Sequence, residues 1–362
     1  MTAEEQSAQE VLDAYRAEQP KEQPAAVLVR PGEMQLEQVP VPEPGAGEVL
    51  VSVRSVGVCG SDTHYYREGR IGDFVVQAPL ILGHESSGVV VAAGPGATLH
   101  AAGARVAIEP GIPCRRCEQC RAGRYNLCPD VVFMATPPVD GALRRFVAMP
   151  EDFCHPVPFE LSDDAAALIE PLSVAVWAAS KAELRLADRV LVIGAGPVGA
   201  LCGLVAKALG ADPVLVEVDE RRARRVERLG ELRVVAPEEG RRSGYDVVFE
   251  CSGASDALWD NLCTLRPAGR VVAVGMSASD EIRVPLSVLQ TRELLLTGIF
   301  RYANTYPRAI SLARSTRVRL DELVDAEFPL SRSAEALLAS HEDPSILKAV
   351  VHPWKVQDQV TS

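Results

Sequence analysis

From Ala25 to about Pro158 the apolar positions fall into short β-type runs, among them Val49–Val53, Gly88–Ala92 and Arg105–Ile108, punctuated by Gly and Pro. That pattern predicts an all-β or barrel-like unit. Between Leu184 and Phe300 the rhythm changes. The runs Val190–Ile193, Val214–Val218, Val247–Glu250, Val271–Val274 and Leu294–Ile299 alternate with helical stretches such as Ala200–Leu209. This alternation predicts a parallel, doubly wound sheet, so the fold class is α/β with a β-rich partner domain. Beyond Ala309 the pattern predicts a helix near Ala334–Ser340 and a last strand near Leu347–Val351. Residues 1–23 read as a polar, mobile extension with a short amphipathic helix around Val11–Tyr15.

The chain's 362 residues exceed the usual size of one core, in keeping with two domains. A formal net charge of −12 argues against nucleic acid or an anionic membrane as partner. The run Arg221–Arg225 is the local exception and reads as a solvated helix face, since Glu220 and Glu227 lie in the same segment. No apolar stretch approaches the roughly 20 residues that span a bilayer. The acids Glu4, Glu5, Glu10 and Asp13 disfavour a signal or transit peptide, and a cytoplasmic location is expected.

Nine cysteines are many for such a compartment. Four follow Cys114-x-x-Cys117-x-x-Cys120-x7-Cys128, and so many soft, charged ligands on one loop suit a closed tetrahedral zinc site. Arg115, Arg116 and Arg121 help offset the thiolate charge. Cys154, Cys202, Cys251 and Cys263 sit in apolar surroundings and read as small hydrophobes. A second, dispersed set comprises Cys59-Gly-Ser61-Asp62-Thr-His64, Gly83-His84-Glu85 and Glu170-Pro171. Cys, His and a carboxylate are the mixed ligands of a catalytic zinc with one open position. Each is also common as a structural residue, and Ser61 and Asp62 equally suit a helix cap.

Val190-Leu-Val-Ile-Gly194-Ala-Gly196-Pro-Val-Gly199 places Gly-x-Gly-x-x-Gly between a strand and a helix. Gly194 permits the tight turn, Gly196 lets a pyrophosphate approach, and Gly199 allows close helix–sheet packing. Glu217 stands where an acid accepts hydrogen bonds from the adenosine ribose and repels a 2′-phosphate. NAD is therefore expected over NADP, with Arg221 and Arg222 nearby pulling the other way.

Read together, these residues resemble the zinc-containing medium-chain dehydrogenases, within them the sorbitol/xylitol (polyol) dehydrogenase branch. The stretches that carry the likeness are Gly57-Val-Cys-Gly-Ser-Asp-Thr-His-Tyr-Tyr66, Gly69-Arg-Ile-Gly72, Leu82-Gly-His-Glu-Ser86, Ala135-Thr-Pro-Pro138, Glu170-Pro-Leu-Ser-Val174 and Gly298-Ile-Phe-Arg-Tyr-Ala-Asn304. The resemblance implies a GroES-like catalytic domain from residues 24–170 and 309–362, a Rossmann NAD-binding domain from 171–308, an active site in the cleft and a homotetramer. It implies that Cys59 and His84 hold the catalytic zinc with Glu85 or Glu170, their order open, and that Cys114, Cys117, Cys120 and Cys128 hold the structural one. It adds Val198, Arg222, Val274, Gly275, Met276 and Phe300 to the cofactor contacts, and assigns Tyr65, Glu170, Arg301 and Tyr302 to polyol hydroxyls. Trp177 departs from the His often found at its place, and the strand before Glu217 is one residue shorter than usual.

The expected reaction is hydride transfer from a secondary alcohol of a polyol to NAD, giving the ketose, with Ser61 and His64 relaying the hydroxyl proton. The competing readings are a zinc alcohol dehydrogenase or threonine 3-dehydrogenase of the same superfamily and, from another class, a non-catalytic NAD-binding module. The pair Arg301-Tyr302 with Glu170 favours a hydroxyl-rich substrate.

Overall fold

The computed structural model describes residues 3–254, 256–276 and 284–355. The outer ends of the predicted terminal segments, residues 1–2 and 356–362, lie outside the described residues. The chain divides into two compact units, Met1–Glu170 with Val324–Ser362, and Pro171–Leu323. The return crossing therefore falls at Leu323/Val324 rather than at the expected 308/309. The reason is local: a division at 309 would cut the continuous helix Tyr306–Arg314, whose Tyr306, Ala309 and Ala313 are buried.

The first unit is built on a seven-stranded sheet. Its order runs Cys154–Pro156, Arg105–Ile108, Glu85–Ala93, Glu48–Gly57, Lys348–His352, Val324–Pro329, with Phe146–Pro150 also pairing with Glu48–Gly57. The strand Glu48–Gly57 alternates little because both faces are covered; eight of its ten residues are buried. Arg105–Ile108 is buried throughout for the same reason. The N-terminal helix spans Ala3–Glu18, much longer than the short helix expected within a mobile extension. Ala8 and Leu12 are buried, and Tyr15 packs on Phe146, which in turn meets Trp354 edge-on. These apolar contacts hold it against the sheet and outweigh its polar composition.

The second unit carries six parallel strands in the order Arg233–Val235, Asp212–Val216, Arg189–Ile193, Tyr245–Glu250, Leu265–Ala273, Leu295–Gly298. In order of appearance within the unit this is 3-2-1-4-5-6, and the order reverses beside Arg189–Ile193. A ligand crevice opens at such a reversal, outside the carboxyl ends of the strands. The glycine-rich turn after Ile193 occupies that place.

Candidate functional site

Cys59 precedes the helix Gly60–Glu68, and His84 and Glu85 enter the strand Glu85–Ala93. Pairing of Gly57 with Glu85 across the two central strands brings these segments together. Gly57 has a packing reason: a Cβ there would lie 2.2 Å from Glu85 Oε2. The ligand atoms of Cys59, His84 and Glu85 all lie within 4.8 Å of one another, with His84 and Glu85 buried. Glu170, in the first turn of the helix Ile169–Lys181, is buried but does not join this group. Of the two carboxylates, Glu85 is the one grouped with Cys59 and His84.

Two residues that sequence reasoning had not placed complete the surroundings. Asp62 Oδ1 lies 3.4 Å from His84 Nδ1 and accepts the Gly83 N–H at 3.1 Å, while Oδ2 accepts the Cys59 N–H at 3.4 Å. One carboxylate therefore serves the helix start and orients the histidine, a common partner for a ligating imidazole. Burial opposes charge on His84, but Asp62 and Cys59 hold its pKa well above the ordinary range. Lys348 Nζ donates to both Glu85 oxygens, at 2.7 and 2.8 Å, and to the Val58 carbonyl at 2.8 Å. Burial would strip its proton, yet Glu85 first, then Cys59, with Glu170 also contributing, keep it above the ordinary lysine value. Its one sequence signal was a lysine inside the otherwise apolar run Leu347–Val351.

Ser61 is half-buried in the first turn of the helix Gly60–Glu68. His64, one turn later, is exposed, with Nδ1 3.4 Å from Glu68 Oε1. Tyr65 is buried in the apolar cluster of the first unit. In the second unit Tyr302 is also buried, 5.7 Å from Tyr306 between ring centres, and the Arg301 guanidinium lies over the Phe300 ring at 4.7 Å.

Cys114, Cys117, Cys120 and Cys128 form a second group whose sulfur atoms lie within 4.8 Å of one another. The loop is already folded around the thiols: the Cys120 N–H reaches Cys117 Sγ at 3.4 Å and the Cys114 N–H reaches Cys128 Sγ at 3.3 Å. Backbone N–H groups of Arg116 and Cys117 bring the Cys114 thiol down to about 7. Tyr125, inside the loop, donates to buried Glu109 at 2.6 Å, and Glu109 also meets His155 at 2.7 Å, which ties the loop to the sheet. Four sulfurs so arranged fit a closed tetrahedral zinc, and the thiolate–imidazole–carboxylate set fits an open one. Of the cysteines read as small hydrophobes, Cys154 and Cys202 are buried and Cys251 half-buried, but Cys263 is exposed. It follows the helix Ala257–Leu262 and falls on the outer side of that turn.

At the dinucleotide turn the three glycines differ in kind. Gly194 has φ +89, Gly196 faces open space, and a Cβ on Gly199 would lie 1.9 Å from the Gly194 carbonyl oxygen. Open space at Gly196 is what a pyrophosphate needs, with the helix Pro197–Ala208 starting behind it. Val198 is half-buried in that first turn. Glu217, just past the strand Asp212–Val216, accepts the Ala195 N–H at 3.0 Å, and Arg222 Nη1 lies 3.7 Å away. The N–H groups of Val274 and Gly275 both donate to the Glu250 carbonyl at 2.8 Å, and Met276 and Phe300 are exposed. On the helix Glu220–Glu227, Arg221 and Arg224 are exposed, whereas Arg222 and Arg225 are half-buried, so only part of the arginine run is a solvated face. Trp177 stands under the Lys181 ammonium, 5.5 Å from ring centre to Nζ.

Comparison with known proteins agrees with both units. Residues 45–159 match the alcohol dehydrogenase GroES-like domain, and residues 197–315 match the zinc-binding dehydrogenase family. The chain is 40% identical over 346 residues to a sorbitol dehydrogenase of Bacillus subtilis (strain 168), covering 92% of this chain and 98% of that protein. It is 42% identical over 323 residues to a sorbitol dehydrogenase of Macaca fascicularis, covering 86% and 90%. Among solved structures, a putative zinc-binding dehydrogenase from Sinorhizobium meliloti 1021 bound to NADP superimposes with a TM-score of 0.84 at 27% identity, covering 92% of this chain and 100% of that one. The chain belongs to the zinc-containing medium-chain dehydrogenases, in their polyol dehydrogenase branch.

Proposed function

We propose that the chain oxidises a secondary alcohol of a polyol to the ketose with NAD as hydride acceptor. The observation that carries the reading is the meeting of Cys59, His84 and Glu85 in a buried site. The sorbitol dehydrogenases it resembles over most of its length support the substrate class. Cys59, His84 and Glu85 would hold the catalytic zinc, and Cys114, Cys117, Cys120 and Cys128 the structural one. When bound, the catalytic zinc supplies Lewis acidity that makes a substrate hydroxyl more acidic.

The chain's own residues do the rest. Asp62 fixes the ring of His84, leaving its other nitrogen for the ligand position. Lys348 offsets the charge of Glu85, so less negative charge opposes the one that develops on the substrate oxygen. Ser61 would take the hydroxyl proton as it hands its own on through the cofactor hydroxyls toward His64, whose exposed ring can release a proton to water. Glu170 and Tyr65 in the first unit, and Arg301 and Tyr302 in the second, are the residues the family resemblance assigns to the remaining hydroxyls. The turn that Gly194 and Gly199 shape lets the pyrophosphate approach at Gly196, and Glu217 receives the adenosine ribose, which favours NAD. Val198, Arg222, Val274, Gly275, Met276 and Phe300 line the remaining cofactor path.

Self-association belongs to the same reading. The edge strand Leu295–Gly298 leaves Leu295 and Leu296 exposed, and Leu286 is exposed on the helix Leu286–Arg292. A tetramer in light scattering of the purified protein is expected. Among the described residues no helix is long and apolar enough to cross a membrane.

The test is a panel of polyols, primary alcohols and threonine with NAD and NADP, followed by absorbance of the reduced cofactor. Turnover with polyols and NAD is expected. Turnover confined to primary alcohols or threonine overturns the substrate class, and cofactor binding without turnover of any alcohol overturns the enzyme.

A further inference from the structure

Four charged residues after the strand Asp212–Val216 are paired in a way that bears on which dinucleotide the second unit accepts. Glu217 is buried and engaged on both oxygens: Oε2 accepts the Ala195 N–H at 3.0 Å, and Oε1 accepts those of Val218 and Asp219 at 2.8 and 3.0 Å. Asp219 then caps the helix Glu220–Glu227, its Oδ1 accepting the N–H groups of Arg221 and Arg222 at 2.9 and 3.0 Å. The guanidinium groups turn to the same two acids. Arg221 Nη2 lies 3.7 Å from Asp219 Oδ2, and Arg222 Nη1 lies 3.7 Å from Glu217 Oε2.

The 2′-phosphate that separates NADP from NAD is bound by this kind of donor set, arginines together with backbone N–H groups at a helix start. Here both arginines and both N–H groups already face a carboxylate. We propose that Asp219 is a specificity-determining residue, closing together with Glu217 a latent 2′-phosphate site made of Arg221, Arg222 and the start of their helix. The proposal rests on the reading that Glu217 faces the adenosine ribose. It adds to that reading because repulsion by Glu217 alone leaves Arg221 and the helix N–H groups able to compensate. Asp219 occupies them, so discrimination combines repulsion with the removal of attraction.

The test is calorimetric titration of the zinc-loaded protein with NAD and with NADP. Asp219→Asn removes the charge and keeps a side-chain cap. Asp219→Gly also frees the two N–H groups, and Gly is tolerated at a helix cap. Relative to the unaltered chain, NADP affinity is expected to rise about threefold in Asp219→Asn and about tenfold in Asp219→Gly, with the NADP-to-NAD ratio moving in that order. Unchanged NADP affinity in both variants, or NAD and NADP affinities that move together, overturns the proposal. Should Asp219→Gly fail to fold, Asp219→Asn decides alone. Glu217→Gln tests the underlying reading separately: it weakens NAD binding if Glu217 holds the ribose, and unchanged NAD affinity discards that contact whatever Asp219 does. An unaltered chain that prefers NADP overturns both.

Discussion

The two candidate metal centres of the first unit are assembled in different ways. The four cysteines of Cys114–Cys128 converge within 14 positions of chain, and loop hydrogen bonds already shape their pocket. Cys59, His84 and Glu85 meet because two central strands of the sheet run side by side. Their charge is completed by Lys348, 263 residues from Glu85 in the chain. A local centre answers to the integrity of its loop. A dispersed centre answers to the packing of the whole sheet, and in return it can bury a charged lysine and an orienting aspartate beside its ligands. The first arrangement suits a staple, the second suits chemistry.

The largest effect that separates them is on turnover. Cys59→Ser or His84→Ala is expected to lower steady-state turnover about a thousandfold while the cysteine loop keeps its metal. Loss of metal from both centres together would break the distinction. Next comes Lys348→Met, which in the zinc-free protein leaves the buried Glu85 carboxylate without its counter-charge. In denaturant titrations it should lose about 3–5 kcal/mol of stability, most of it recovered in Lys348→Met with Glu85→Gln. A loss that the second change does not repair would mean that Lys348 matters for packing rather than charge.

Cys120→Ser addresses the local centre, with a fall in melting temperature of about 5–10 °C and little change in NAD affinity. The smallest effect concerns pH. Burial would raise the Asp164 carboxyl, but hydrogen bonds from His352, at 2.8 Å, and Ser55, at 2.6 Å, hold it below its ordinary value. A depressed carboxyl contributes stability that is present above its unfolded pKa and lost as pH falls through the folded one. Asp164→Asn should therefore lower stability at neutral pH and flatten the acid side of the profile, the two proteins converging below about pH 4. Asp164 sits on the helix Asp163–Ala167, which packs on the strands carrying Gly57 and Glu85, so this loss belongs to the dispersed centre's scaffold.

Legibility in the sequence followed the same division. The cysteine loop and the glycine turn could be read because their chemistry is local: spacing alone determines which groups meet. The alternation of apolar runs was enough for the parallel sheet, although the short strand Arg233–Val235 escaped notice. Asp62 looked like a helix cap and is one, but its contact with His84 depends on a strand pairing that no local pattern encodes. Lys348 was hidden for the same reason, its partners Val58 and Glu85 lying 290 and 263 residues away. The polar majority of the N-terminal helix conceals Ala8 and Leu12, which are buried, and half-buried Tyr15, which packs on Phe146.

Zinc content per chain tests the central claim most directly, measured by elemental analysis on the unaltered protein and on Cys59→Ser. The two centres described here predict about two zinc ions per chain, falling to about one in the variant. A single ion in the unaltered protein, or two retained in Cys59→Ser, would contradict the account.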